Sequence, residues 1–269
     1  MKKILVSLFV LLAVTVQANA ATWVAKDRVA PVGKQILTKN KITTNITFKV
    51  VEGAADNSES VKTKIINIST TDLQYAGNDN EVAAVISNEL GHIICCHTDK
   101  AKVRNLLLNN NSTTPSEPTL ADDIISSKIT QKENEEADVT GVNLMITAGY
   151  NPLALIVWVT KQPGSTLDIL KSRPNNFDRA MVTFKYLTYA YPSKVKAGYA
   201  CQEYRTFLAS AEPQMKKLTK SKRKLNKFNK EQEKLIRERQ KDLEKYKMNG
   251  GLNSWGVTYD WLTNTENNK

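Results

Sequence analysis

Ile46, Phe48 and Val50 alternate with polar residues across Asn45–Val51, a period of two that predicts a half-buried strand. A polar loop from Gly53 to Ser60 follows, and alternation from Lys62 to Ile68 predicts a second strand. The period then becomes helical. Val82, Val85, Ile86, Leu90 and Ile93 form one apolar stripe, predicting a helix from about Glu81 to Lys100 with Asn88, Glu89 and His92 on its more polar side. Asn78-Asp79-Asn80-Glu81 supplies a capping-box-like start. Ala21 to Ile42, ahead of the strands, reads as helical or irregular.

Further along, a second long helix is predicted from about Thr130 to Ala148, with Gly149 at its C-terminal turn. Pro152 opens a helix carrying Leu153 to Val159, and another runs around Asp178 to Ala190. Asn109 to Leu120 and the stretch beginning Arg173-Pro174 read as polar loops. From Gln214 to Met248 there is neither Gly nor Pro. Leu218, Leu225, Phe228, Leu235, Ile236, Leu243 and Tyr246 form a narrow seam there, which predicts one long amphipathic helix coiled against a partner or the body. Gly250-Gly251 ends it, and Trp255, Tyr259 and Trp261 follow in a tail placed to fold back and dock.

These elements predict an α+β fold, mainly helical, with a small sheet beside the central helix and a long basic helix at the C-terminal end. The expected organisation is a signal peptide over 1–20, a main domain over 21–210, the basic helix over 211–248 and a Gly/aromatic tail over 249–269. The signal peptide is read from Met1-Lys2-Lys3, the apolar run Ile4 to Val16 and the small-x-small site Ala18-Asn19-Ala20. An extracytoplasmic protein starting at Ala21, periplasmic or secreted, is the expectation. The run is short for a bilayer span.

Charge sharpens the division. Residues 21–269 carry a net charge of +9, and Gln214 to Lys247 alone, with 14 basic and 5 acidic residues, accounts for +9. The remainder is balanced, so the basic character belongs to one segment. Its two readings are a solvated helix and an attachment to anionic lipid headgroups or another polyanion. Nucleic acid is not expected, because no aromatic residues interleave the lysines in a stacking pattern. The three cysteines, Cys95, Cys96 and Cys201, allow at most one intramolecular disulfide, with Cys201 pairing to either neighbour, or simply three buried thiols.

The chemistry centres on Asn88-Glu89-Leu90-Gly91-His92. It is the zinc-binding pattern H-E-x-x-H with asparagine in place of the first histidine. The pattern sets two ligands one turn apart on one helix face, with the glutamate beside them as general base. His97 is the only other histidine, and Cys96, four residues after His92, gives an alternative ligand pair on a continuous helix.

Three stretches together resemble peptidase family M forty-eight, the HtpX and CAAX-prenyl-protease type of zinc metallopeptidase. They are Glu81 to His92; Asn134-Glu135-Glu136-Ala137-Asp138, followed by Gly141, Leu144 and Ala148-Gly149-Tyr150-Asn151-Pro152; and Arg173-Pro174-Asn175-Asn176-Phe177-Asp178-Arg179. Their order and spacing match the family over roughly Val32 to Ala190. The resemblance places the family's first zinc histidine on Asn88, its general base on Glu89 and its second zinc histidine on His92. Its third ligand, a glutamate, falls on Asn134. The aspartate that supports a ligand from behind is kept as Asp138. A histidine before proline that assists at the transition state is replaced by Arg173, and the following arginine is kept as Arg179.

The resemblance thus implies a zincin-like metallopeptidase fold whose metal positions have changed. Two neutral amides and a fixed positive charge stand where zinc needs imidazole and carboxylate. Glu133 and Glu135 flank Asn134 but lie about 100° from it around the helix. The expectation is a pseudopeptidase that holds no metal and binds a protein or peptide partner through its former cleft. The rivals are an active zinc endopeptidase of envelope proteins, with Glu89 as base and unconventional ligands, and an adaptor working through the basic helix at an anionic membrane surface. For a silent site, Glu89 and His92 are read as a hydrogen-bonded pair joined by Asn88 and Asn134, with Asp138 orienting His92 or capping a neighbouring turn, His97 as a structural residue rather than a ligand, and Arg173 pairing with Glu89 or exposed like Arg179.

Overall fold

The computed structural model describes residues 23–97, 120–163, 176–248 and Glu266, apart from the side chains of 120–130 and 246–248. Arg173, residues 109–119 of the loop predicted over Asn109 to Leu120, the signal peptide and the three aromatic residues of the tail lie outside that set. Helix α1 (Ala25–Lys39) leads into strand β1 (Thr47–Val51), a single turn α2 (Ser60–Thr63), strand β2 (Ile65–Ser69) and a second turn α3 (Thr70–Leu73). Then come α4 (Asp79–Ile94), α5 (Leu120–Ala148), α6 (Leu153–Lys161) and α7 (Asn176–Ala190). The short α8 (Pro192–Ala197), α9 (Gln202–Thr219) and α10 (Lys222–Met248) complete the order. The chain is mainly helical with one small sheet, as the periodicities predict. No helix among the described residues is long and apolar enough to cross a membrane.

The two strands are parallel, with Thr47 opposite Ile65 and Val51 opposite Ser69. Strand β2 starts later than the alternation suggests because Lys64 adopts a left-handed backbone (φ 60°) that closes α2. Ile66 and Ile68 are then fully buried, and β2 packs on α4.

Helix α4 is the core of the molecule, enclosed by α1, α5, α6 and β2. Its start follows the predicted cap: Asn78 Oδ1 accepts from the N–H of Asn80 at 3.0 Å and of Glu81 at 3.2 Å. The buried Glu81 carboxylate reaches one residue further back than a capping box requires, accepting from Gly77 N–H and Lys161 Nζ, each at 2.7 Å. Tyr199 also reaches this cluster, 2.9 Å from Asn78 Oδ1. Most of α4 is buried, Asn88 included; the residues that keep some solvent access, Asp79, Asn80, Glu89 and His92, are all polar.

Three helix boundaries differ from the sequence reading. Helix α4 stops at Ile94, because Cys96 takes a left-handed backbone (φ 55°). Helix α5 begins at Leu120, well before Thr130, since neither glycine nor proline occurs between Pro118 and Thr130. Ahead of the strands, where the reading left helical or irregular open, the chain is helical from Ala25 to Lys39. The segment from Gln214 to Met248 is split in two, because Ser221 caps a new helix: its carbonyl accepts from Leu225 N–H at 2.9 Å and its Oγ from Lys224 N–H at 3.4 Å.

As a result α9 and α10 pack on each other, α9 reaches α6 and α7, and α10 also meets α7. The buried stripe of α10 runs through Phe228, Gln232 and Leu243, while Leu225 and Leu235 are exposed at 39% and 40%. Glu266, from the tail, accepts a hydrogen bond from Ser193 N–H at the start of α8 (2.9 Å).

Candidate functional site

The antiparallel crossing of α4 and α5 places the sequence-predicted residues. Gly91 faces the backbone of Ala137, and Gly141 faces that of Ser87. Without side chains at either glycine the helices approach until Asn88 and Asp138 touch. Asn88 Nδ2 donates to Asp138 Oδ1 at 2.8 Å, and Arg179 from α7 closes on the same carboxylate, Nε to Oδ2 at 2.5 Å and Nη2 to Oδ1 at 2.6 Å. All three side chains are buried. Burial pulls against the Arg179 charge, but Asp138 outweighs it and holds the guanidinium firmly protonated. Trp158 packs beneath, its ring centroid 5.8 Å from the guanidinium carbon. Asp138 therefore supports Asn88 rather than His92, and Arg179 is a buried partner rather than a surface charge.

Glu89 points elsewhere. Its Oε2 accepts from Asn57 Nδ2 at 2.8 Å, and Asn57 comes from the loop between β1 and α2. The same amide donates to the carbonyl of Asn67 (3.0 Å) and accepts from its N–H (2.8 Å). Thr47 N–H bonds Lys64 O, so Ile66 and Ile68 pair with β1 and Asn67 points to the other edge of β2. Asn57 thus occupies, with one carboxamide, the two backbone groups that a further strand would use. Nothing in the sequence marks Asn57 for this role.

Burial raises the Glu89 carboxyl to about 7; the Asn57 hydrogen bond and Arg179 lower it, while Asp72 adds to the rise. Between its ordinary 4.5 and about 7, the folded chain holds a proton that the unfolded chain releases, so stability falls as pH rises through that window and is flat above it. Glu89→Gln keeps an acceptor for Asn57 and removes the ionisation. Because Glu89 retains some solvent access, the expected gain is about 1–2 kcal/mol near pH 8 and close to nothing near pH 4, read by urea unfolding at both.

His92 does not bond Glu89. Its Nδ1 lies 3.0 Å from His97 Nδ1, the rings meeting edge to face with centroids 5.0 Å apart. Burial, with His97 and Arg179 nearby, pushes His92 down to about 3, so the ring is neutral. His97 Nε2 in turn lies 3.1 Å from Glu136 Oε2 on α5. The left-handed Cys96 folds His97 back and removes the helical spacing that would pair Cys96 with His92; the Cys96 thiol faces the Ile94 carbonyl instead. Cys95 Sγ lies 3.4 Å from Thr140 Oγ1. Cys201 caps α9, its Sγ accepting from Tyr204 N–H at 3.4 Å.

Asn134 is half-buried one turn before Asp138 and does not share in the Asn88 contact. Glu133 and Glu135 flank it, and Glu135 accepts from Gln131. Zinc at the family's position does not fit these donors. Asn88 turns its NH2 to Asp138, Asn134 is a neutral amide, and His92 has one ring nitrogen committed to His97. A single imidazole nitrogen is not a zinc site. No family model matches the chain, and no curated protein or solved structure matches it significantly.

Proposed function

We propose that the chain is an exported, catalytically silent metallopeptidase-type protein of the zincin-like class, related to family M forty-eight, whose former cleft receives a protein or peptide partner. The observation that carries this reading is the buried Arg179–Asp138–Asn88 chain, in which an aspartate placed to steady a zinc histidine clamps an amide instead. Glu89 stands beside amides where the resemblance expects zinc ligands, and its carboxylate is tied to Asn57. An extended partner segment would add to the outer edge of β2, taking over the two bonds that Asn57 makes to Asn67 and releasing Glu89 from Asn57.

The test is hydrolysis of an unfolded protein substrate by the full exported chain in excess zinc. No cleavage is expected, and none is expected to be lost in Glu89→Gln. Cleavage that Glu89→Gln abolishes would overturn the proposal. Asn88→His with Asn134→Glu should add a zinc site that His92→Ala removes. For the partner, Asn57→Ala should strengthen binding of extended peptides at least several-fold, because the edge of β2 is then free.

A second reading rests on α10. Arg223, Lys227, Lys230 and Lys234 recur at spacings of four, three and four along one shallow hollow, joined there by Lys222 and by Glu231 alone among acidic residues. Such a face suits anionic headgroups at an envelope membrane. Lys227→Glu/Lys230→Glu/Lys234→Glu is expected to abolish cosedimentation with vesicles rich in anionic lipid at low salt, while wild-type binding weakens as salt rises. Equal cosedimentation of both would dismiss this role.

A further inference from the structure

Beyond the altered family position lies a second cluster of donors, one turn further along. Cys95 Sγ, a ring nitrogen of His97 and a carboxylate oxygen of Glu136 all lie within 4.8 Å of one another, and all three residues are buried. We propose that these residues form a zinc-binding site. The inference does not depend on whether the neighbouring cleft is silent.

Backbone geometry builds the cluster. Cys96 holds φ 55° without being glycine, and that reversal sets Cys95 and His97 on the same side while its own thiol turns away. A simple helix end would be met more cheaply by glycine at this position. The left-handed residue therefore stands where two donors have to converge on a third from α5.

Chemistry selects the ion. One thiolate, one imidazole and one carboxylate suit a borderline cation such as Zn²⁺ and leave the fourth tetrahedral position to water; calcium and magnesium prefer oxygen alone. The outer contacts agree with that assignment. His97 Nδ1 is held by His92 Nδ1 at 3.0 Å, so with Nε2 on the metal the remaining N–H has an acceptor in a neutral ring. Thr140 Oγ1, 3.4 Å from Cys95 Sγ, is placed to donate to a thiolate.

Binding releases the Cys95 thiol proton to solvent, together with any proton shared by His97 and Glu136. The ion's two charges are then matched by Cys95 and Glu136. Lys132 Nζ, 3.4 Å from Glu136 Oε1, and Arg239, whose charge is felt by Glu135, Glu136 and Cys95, act against the ion. Arg239 has a buried Nη1 with no hydrogen-bond partner among the described residues, and serves as the counter-charge when the metal is absent.

The test is titration of the full exported chain, without a histidine tag, with Co²⁺ and then Zn²⁺. Stoichiometric binding with a thiolate-to-cobalt charge-transfer band, bleached by zinc, is expected. Cys95→Ser should abolish the band and Cys96→Ser should leave it. His97→Gln and Glu136→Gln should each weaken binding at least ten-fold, and His92→Asn, which touches only the outer nitrogen, should weaken it about 10–100-fold with the band retained. A folded wild-type chain that gives no thiolate band overturns the proposal, whatever the variants do. So does a band that survives Cys95→Ser or vanishes in Cys96→Ser. Zinc gained at the altered family position by Asn88→His/Asn134→Glu is told apart by its persistence in Cys95→Ser.

Discussion

Asp138→Asn is expected to lower the unfolding free energy by about 3–5 kcal/mol, the largest effect of any single substitution at the α4–α5–α7 junction. Asp138 is completely buried and accepts three hydrogen bonds, two from Arg179 and one from Asn88. An asparagine offers one acceptor and turns an NH2 toward a guanidinium that has only donors. The Arg179 charge is then left beside Trp158 without its hydrogen-bonded carboxylate, and the more distant Asp72 and Glu89 offset its lost hydration only in part. Much of the expected loss is this stranded cation rather than the worth of the bonds. Asp138→Asn combined with Arg179→Met should therefore cost less than Asp138→Asn alone, because no buried charge remains. Urea unfolding of the two variants with unchanged m-values checks both expectations. A loss below about 1 kcal/mol for Asp138→Asn would mean that water reaches the pair.

The parts of this arrangement that were legible in the sequence are those set by local chemistry. Asn78 three residues before Glu81 announced the start of α4, and the spacing of Val82, Val85, Ile86, Leu90 and Ile93 announced its helical form. Gly91 and Gly141 lay inside motifs singled out for other residues. What escaped depends on contacts between segments distant in sequence. The partner of Asp138 was Asn88 instead of His92, which only the crossing of α4 over α5 decides. Asn57 belongs to a loop with no motif, yet its carboxamide reaches both Glu89 and the edge of β2. The end of α4 was missed because a left-handed cysteine has no propensity signal; the pairing of His97 with His92 and Glu136 follows from that one dihedral. Ser221 could have been read as a cap, but the unbroken run of helix-forming residues around it outweighed one serine.

Gly91→Ala is expected to cost about 3 kcal/mol, despite a gain of up to about 1 kcal/mol in helix propensity. A Cβ there would stand 2.4 Å from the Ala137 carbonyl oxygen and 2.9 Å from the Ala137 Cα, both parts of a helix backbone that cannot rotate aside. Two other glycines calibrate this expectation. At Gly141 the nearest atom is Ser87 O at 3.0 Å, so a shift of a few tenths of an ångström suffices and Gly141→Ala should cost about 1 kcal/mol. At Gly33 a Cβ meets the Phe48 ring at 2.4 Å, but that ring is only half-buried and can swing away, so Gly33→Ala should change stability by less than Gly91→Ala. Equal losses at Gly33 and Gly91 would show that closeness alone, and not the rigidity of the neighbour, sets the cost. Once Gly91→Ala has pushed α4 and α5 apart, Gly141→Ala should add less than it costs alone. The same separation loosens Asn88 from Asp138, so Asp138→Asn should also cost less in the Gly91→Ala background. That shortfall measures how far one bare helix crossing holds the buried cluster together.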